Sequence, residues 1–336
     1  PASDALGVVI EEIDASALPE VDLIVGGLGI EERCEESLKR LLEASRSRGA
    51  VLVQFPLPGR ADTIQAMFKD RRIPTKVVSS EAASGWEVPP SAKSVVVDIS
   101  GLAKPAIFHF CRHLLEQRRS VYVCHTQARE YYPSDEDIAP VLKAHSEEDV
   151  AQLLEGVADV FKGEDKPYKR IALLEERQDN SRPRALIAFS SAKHERLLTL
   201  IDARYYDYVG IAYSSANTGR GRISEMAARF AVRNSNGAAC YPLSSTDLKE
   251  NIDFLTKLYS QLYHQSGYNV EIGLTGSKVC GLASAIVAAR WKIAQAWYVK
   301  PDRFSVERFT SGVGPSHFYK ISVQDEPGVV APRTNI

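Results

Sequence analysis

Four residues late in the chain, Thr275-Gly276-Ser277-Lys278, combine what an anion site needs. Glycine lets backbone come close to a ligand. A helix rich in small residues (Ala283, Ala285, Ala288, Ala289) is expected to start there, aiming unpaired N–H groups and its positive dipole end at the turn. Ser277 adds a hydroxyl donor and Lys278 a point charge suited to phosphate. The same layout recurs earlier. After the buried-strand pattern Val95-Val96-Val97 come Asp98-Ile99-Ser100-Gly101 and then Lys104, again before a helix. A helix cap with a solvated lysine has the same composition, so it is the recurrence that favours a ligand.

The segments that open each half also correspond. Asp22 to Arg33 reads DLIVGGLGIEER, and Arg184 to Arg196 reads RALIAFSSAKHER. Each is a strand, a small-residue turn, and Glu-Arg at the start of a helix. Glu32 and Arg33, with Ser190, Ser191, Glu195 and Arg196, are therefore expected at the ligand; Glu32 and Arg33 orient a ribose or base, or pair with the other lobe. Thr275, Gly276, Ser277, Lys278, Ser100 and Lys104 complete the two turns. The strand Val121 to Cys124 runs into His125, Thr126, Arg129 and Tyr132, and polar clusters at the carboxyl ends of parallel strands are where such folds seat ligands. His125 and Arg129 join the candidates; an ordinary exposed loop is the alternative.

These segments need a scaffold of alternating strands and helices. In the second half strands are expected at Ala185 to Phe189, Tyr208 to Tyr213, Ala238 to Pro242 and Val270 to Leu274, with helices between them. That alternation demands parallel crossovers and helices on both faces of a sheet. The fold class read from the sequence is α/β: two Rossmann-like lobes with mainly parallel sheets, produced by an internal duplication. The expected boundaries are a first lobe at 1–135, a helical or hairpin linker at 136–183, a second lobe at 184–321 and a tail at 322–336. Lys300 to Ile321 is expected to be an arm or hairpin closing over the strand ends as a lid.

Composition narrows the function classes. The 336 residues are 44% hydrophobic and 25% charged with net charge −2, as in ordinary globular chains and without the basic excess of a general nucleic-acid binder. No apolar run is long enough to span a bilayer, no signal-peptide pattern opens the chain, and the five cysteines are far apart. A cytoplasmic location, no membrane partner and no metal or other cofactor are the resulting expectations. His109 and His113, one helical turn apart, lack a visible third ligand. The glycines after Val25 do not have dinucleotide-fingerprint spacing, and the glutamates behind them would repel a pyrophosphate. Ser214 to Arg222 is a small, basic loop able to wrap phosphates, but it lacks the Gly-Lys-Ser/Thr of a Walker motif.

On two of these stretches, Phe189 to Arg196 and Leu274-Thr275-Gly276-Ser277-Lys278, the second lobe resembles the CRISPR-associated Rossmann-fold (CARF) domains of prokaryotic defence. The turn is one residue shorter than the commonest form in that family. The resemblance covers one lobe directly and the other through the repeat. It implies sensing of a cyclic oligonucleotide or similar second messenger, seated between two lobes across a two-fold axis, with a separate effector protein as partner. It also implies a homodimer, or the same arrangement within one duplicated chain. The family's usual nuclease or helix-turn-helix attachment is not evident. Two other classes stay open: an enzyme acting on a nucleotide (a messenger-degrading nuclease or a nucleotide-sugar transferase), with His125, His194 or Glu195 as acid–base groups, and a non-catalytic scaffold subunit.

Overall fold

The computed structural model describes residues 6–324 apart from 58, 146–148, 162–163, 176–178, 180, 234–236 and 305–308. Of the expected tail, only 322–324 lie within the described residues. The first elements are β1 (Val8–Ile13), β2 (Leu23–Leu28), α1 (Glu32–Ala44), β3 (Ala50–Gln54) and α2 (Ala61–Asp70). Next come β4 (Thr75–Ser79), β5 (Val95–Asp98), α3 (Lys104–Glu116) and β6 (Val121–Thr126). A bridging stretch holds β7 (Glu130–Tyr131), α4 (Asp135–Ala144), α5 (Val150–Val160) and β8 (Glu164–Ala172). The second half has β9 (Arg184–Phe189), α6 (Glu195–Asp202), β10 (Tyr208–Ser214), α7 (Gly219–Arg233) and β11 (Ala238–Leu243). It closes with α8 (Leu248–Tyr259), β12 (Asn269–Gly273), α9 (Lys278–Arg290), β13 (Gln295–Phe304), β14 (Thr310–Ser311) and β15 (Ser316–Val323).

Two Rossmann-like lobes result, and their sheets share one strand order. The first runs β4-β3-β2-β5-β6-β15-β1 and the second β11-β10-β9-β12-β13-β8. The five leading strands of each are parallel. A helix returns the chain between consecutive ones except from β4 to β5, where residues 80–94 cross over with only a short 3-10 turn at Ala83–Gly85. The outer strands are antiparallel and exchanged. β8, reached from the first lobe through α4 and α5, pairs with β13 of the second sheet. β15, reached from the second lobe, pairs with β6 of the first. So the stretch expected to be a linker supplies the edge of the second sheet, and the stretch expected to be a lid supplies a strand of the first. Both strands mix apolar with charged residues, as half-exposed antiparallel strands do, which hides them beside the Val-rich central strands.

One continuous core joins the inner faces of both sheets with α3, α8 and α9, including Val25, Val97, Phe110, Ile187, Ile272, Leu255 and Ile286. Separate clusters lie under the outer helices of each lobe. Helix α9 is buried around nearly its whole circumference. Its small residues permit this: a Cβ on Gly281 would stand 3.3 Å from Cγ of Lys104, a residue of the other lobe. Two expected turns are strand instead. β2 continues through Gly26 and Gly27 to Leu28, and β6 through His125 and Thr126. At Gly27 the chain needs glycine because a Cβ there would meet the Gly101 carbonyl carbon at 2.2 Å. Helix α4, at the start of the stretch expected to be a helical or hairpin linker, begins on a capping box between Ser134 and Asp137.

Candidate functional site

The carboxyl ends of both parallel sheets face one cavity of about 400 Å³ between the lobes. The ladders fix which residues correspond across it. Val25 pairs with Val51 and Val97, and Val97 with Val123, in the first lobe. In the second, Ile187 pairs with Gly210 and Ile272, and Ile272 with Ala296. Counting onward along equivalent strands sets Phe55 opposite Ser214 and His125 opposite Tyr298. All four line the cavity.

At its centre the lobes clasp each other through the two turns read from the sequence. Lys104, first residue of α3, donates from Nζ to the Gly276 carbonyl oxygen at 2.6 Å. Lys278, first residue of α9, donates to the Leu102 carbonyl oxygen at 2.6 Å. Each acceptor lies two residues before the other lobe's own lysine, so the contacts are reciprocal. Ser277 caps α9, accepting from the Cys280 N–H at 3.1 Å and donating to the Ser245 carbonyl. The structural position of Ser277 in α3 is held by Ala103, which lacks a capping side chain.

Each lobe also buries an arginine at the second residue of its first helix. Arg33 makes a two-pronged pair with Glu31, 2.9 Å from Nη2 to either carboxylate oxygen. It also donates to the Tyr131 hydroxyl at 3.2 Å. Arg196 makes the equivalent pair with Glu164 of β8 at 2.8 and 2.5 Å, and Lys193 reaches the same carboxylate at 3.1 Å. Burial works against ionised Glu164, but Arg196 and Lys193 outweigh it and hold its pKa down at about 2. Glu31 is lowered in the same way by Arg33 and Lys278 against burial. The lysines move the other way. Burial pulls Lys193 down to about 8, Lys104 well below the ordinary lysine value, and Lys278 also below it.

The wall therefore carries Arg33, Lys104, Lys193, Arg196, Arg220 and Lys278 against the carboxylate of Glu31, with Glu164 behind it. In a chain of net charge −2 this is a local cationic excess, with Arg33 and Arg196 buried and the three lysines and Arg220 half-buried. A small two-stranded sheet of β7 and β14 covers it. Thr310 donates to Glu31 at 2.7 Å, and the Phe309 ring lies 3.6 Å from the Lys193 ammonium. On the other side Arg220 donates to the Tyr131 and Pro133 carbonyls and, through its backbone N–H, to Asp135.

His125 is 3% exposed, its Nδ1 has no partner among the described residues, and burial, then Arg33 and Lys278, keep it well below the ordinary histidine value. It is thus a neutral imidazole in the cavity wall.

Of the residues expected from the sequence, Arg33, Lys104, His125, Ser190, Ser191, Arg196, Thr275, Gly276, Ser277 and Lys278 line this cavity. Four others are placed elsewhere. Glu32 points outward beside Arg60 at 3.5 Å, on a face of α1 turned away from that of Arg33. Glu195 does the same, pairing with Lys166 at 2.5 Å and accepting from the Tyr168 hydroxyl. Ser100 lies beneath the wall, donating to Ser37 and accepting from the Thr126 N–H and so tying β5 to β6. Arg129 is exposed past the end of β6. His194 is buried outside the wall. His109 bonds the Trp86 carbonyl at 3.0 Å and His113 stacks on it, and no group of three metal-ligating side chains occurs among the described residues.

Sequence reasoning passed over Glu31, Glu164, Lys193, Phe55 and Tyr298. Lys193 stood inside the quoted SSAKHER stretch, whereas Glu164 becomes visible only once β8 is placed in the second sheet.

No protein-family model and no curated protein matches the sequence. Among solved structures, a Type III CRISPR defence DNA nuclease activated by cyclic oligoadenylate superposes with a TM-score of 0.52. The match covers 88% of this chain and 68% of that one at 14% identity. At that identity the likeness establishes the fold alone. A phosphoethanolamine N-methyltransferase from Haemonchus contortus covers 84% of this chain and 75% of its own at 9% identity, with a TM-score of 0.23, and carries no argument. No helix among the described residues is long and apolar enough to cross a membrane.

Proposed function

We propose that the cavity between the lobes binds a nucleotide second messenger of the cyclic-oligonucleotide kind, and that the chain is a sensing module of prokaryotic antiviral defence. The observation that carries the reading is the excess of cations over carboxylates around one cavity: Arg33, Lys104, Lys193, Arg196, Arg220 and Lys278 in its wall against Glu31 there and Glu164 behind. Buried charge without a counter-charge is costly, and a ligand phosphate entering between Lys104 and Lys278 offsets that cost. A volume near 400 Å³ lies within the usual span of ligand pockets, roughly 300–1,000 Å³. The neighbour's activation by cyclic oligoadenylate supports the same class of ligand. The reciprocal lysine contacts form within one chain, so the site is assembled without a second copy. A homodimer and a separate effector protein remain part of the proposal as downstream partners. Calorimetry with cyclic oligonucleotides tests it: binding at one ligand per chain, weakened at least tenfold by Lys278→Ala, is expected, and no binding across the series rejects it.

His125 favours a second reading, an enzyme that opens the bound messenger. Once a bound phosphate offsets Arg33 and Lys278, the unpartnered Nδ1 of His125 can take the proton of a ribose 2′-hydroxyl as it attacks the adjacent phosphorus and expels the 5′-oxygen of the next nucleotide, which opens the ring. Mass spectrometry of ligand incubated with the protein separates the two: cleavage that His125→Ala abolishes supports the enzyme, and intact ligand after prolonged incubation supports the sensor.

A further inference from the structure

The two ends of the cavity share a strand order but not a chemistry. Ladder-equivalent positions pair Phe55 with Ser214, and the helix-cap positions pair Ala103 with Ser277. One residue further along β2 and β9, Gly29 corresponds to Ser191. In each case the first lobe lacks a hydroxyl and the second carries one, that of Ser277 being engaged by the Cys280 N–H and the Ser245 carbonyl, and all of these residues line the cavity. Thr218, Ser245 and Thr246 add hydroxyls in the second lobe, beside the apolar surface of Ala212, Tyr213 and Leu243. Ile30 and Leu102 line the first lobe's end, where the Thr310 and Tyr131 hydroxyls are engaged by Glu31 and Arg33. Charge is divided the same way. Lys278 and Arg33 lie with Glu31 at one end, and Lys104, Lys193 and Arg196 with Glu164 at the other.

These surfaces would read a nucleobase by different physics. An aromatic ring such as Phe55 holds any base, because every base has a π-face, and stacking discriminates little between them. Hydroxyls, each with one donor and two lone pairs, read the polar edge of a base. A site built on hydrogen bonds rejects an analogue whose edge does not match far more strongly than an apolar surface does.

From this we infer that the cavity has one permissive and one strict base subsite: stacking on Phe55 in the first lobe, and hydrogen bonding around Ser191 and Ser214 in the second. This rests on the nucleotide reading of the cleft and deepens it. The ligand class is a cyclic oligonucleotide in which one base position is fixed and the opposite one is free.

The test is calorimetric titration of the full chain with cyclic di-AMP, cyclic di-GMP and the mixed cyclic GMP–AMP, with cyclic tetra-adenylate alongside. Two alike subsites would give the mixed ligand an affinity midway, on a logarithmic scale, between the two symmetric ones. One strict subsite predicts instead that the mixed ligand matches the better symmetric ligand within about threefold, while the other symmetric ligand is at least 100-fold weaker. Phe55→Ala should weaken every ligand that binds by about 5- to 150-fold without changing their ranking. Ser214→Ala and Ser191→Ala should compress the ranking. A midway mixed ligand overturns the inference and leaves the nucleotide reading standing. So does binding, of any ring size, that is indifferent to Phe55→Ala. Absence of binding by all four ligands removes both.

Discussion

The two lobes solve one problem, burying an arginine beside a lysine-bearing turn, with different parts. The first lobe neutralises Arg33 from within, using Glu31 two residues away and the Tyr131 hydroxyl. The second has no acid in its own loop and borrows Glu164 from β8, a strand delivered by the chain as it leaves the first lobe. In exchange, the first lobe receives Thr310 and β15 from the chain as it leaves the second. Neither half is complete without the other's outgoing segment. The comparison teaches that the duplication is conserved in the strand order and the lysine contacts, and relaxed in the side chains that surround the cavity.

The largest expected effect follows from the borrowed acid. Glu164→Ala strands Arg196 and Lys193 in a site where the carboxylate side chain is 0% exposed, and the loss should reach about 3–5 kcal/mol in urea unfolding. Glu31→Ala should cost less, because Arg33 keeps the Tyr131 hydroxyl and the Thr126 carbonyl. Equal losses would mean that the lobes do not differ in this respect.

Backbone approach is the next contrast. Gly27→Ala drives a methyl into the Gly101 carbonyl and should cost about 1–3 kcal/mol or more. Its ladder equivalent, Phe189, tolerates a side chain because Thr275 takes up its backbone groups instead, accepting from its N–H at 3.2 Å and donating to its carbonyl at 2.6 Å. Thr275→Val should therefore cost about 1–3 kcal/mol by leaving those buried groups unpaired.

Acidity sharpens the comparison further. Lys193, at about 8, lies below its unfolded value, so its charged form disfavours folding below pH 8. Stability of the ligand-free protein should rise as pH climbs from about 8 toward 10.5, with Lys104 and Lys278 acting in the same sense. A bound polyanion stabilises the charged lysines, so affinity should be highest below pH 8 and fall above it. Glu164, lowered to about 2 from 4.5, contributes stability that is present above 4.5 and lost as pH falls toward 2. Thermal denaturation and calorimetry across pH 3–10 would check all three slopes. The smallest effects belong to Glu32→Ala and Arg129→Ala, which should stay within about 0.5 kcal/mol and leave binding unchanged.

The central parallel strands were legible because they are apolar runs between turn residues: Val95 to Val97, Ala185 to Phe189, and Val270 to Leu274 with one acid, Glu271, which Tyr206 and Trp297 hold inside. The two turns were legible because glycine, a hydroxyl or small residue, and lysine recur before each helix. What the sequence hid was partnership at long range. β8 and β15 carry charges on their open faces, and nothing local says which sheet an edge strand will join. Glu32 and Glu195 were named beside their arginines, but the helical turn of about 100° between neighbours sends only the arginine inward. Phe55 stands at the end of an expected strand, and its role follows only from the ladder that sets it against Ser214.

The most direct measurement is a double-mutant cycle on ligand affinity with Lys104→Ala, Lys278→Ala and the pair. If the lysines reach across the lobes to one shared anion, each single change weakens a cyclic oligonucleotide at least tenfold. The double change should then be non-additive by roughly 0.5–3 kcal/mol, as for residues sharing one ligand. Affinity that survives the double change would contradict the account.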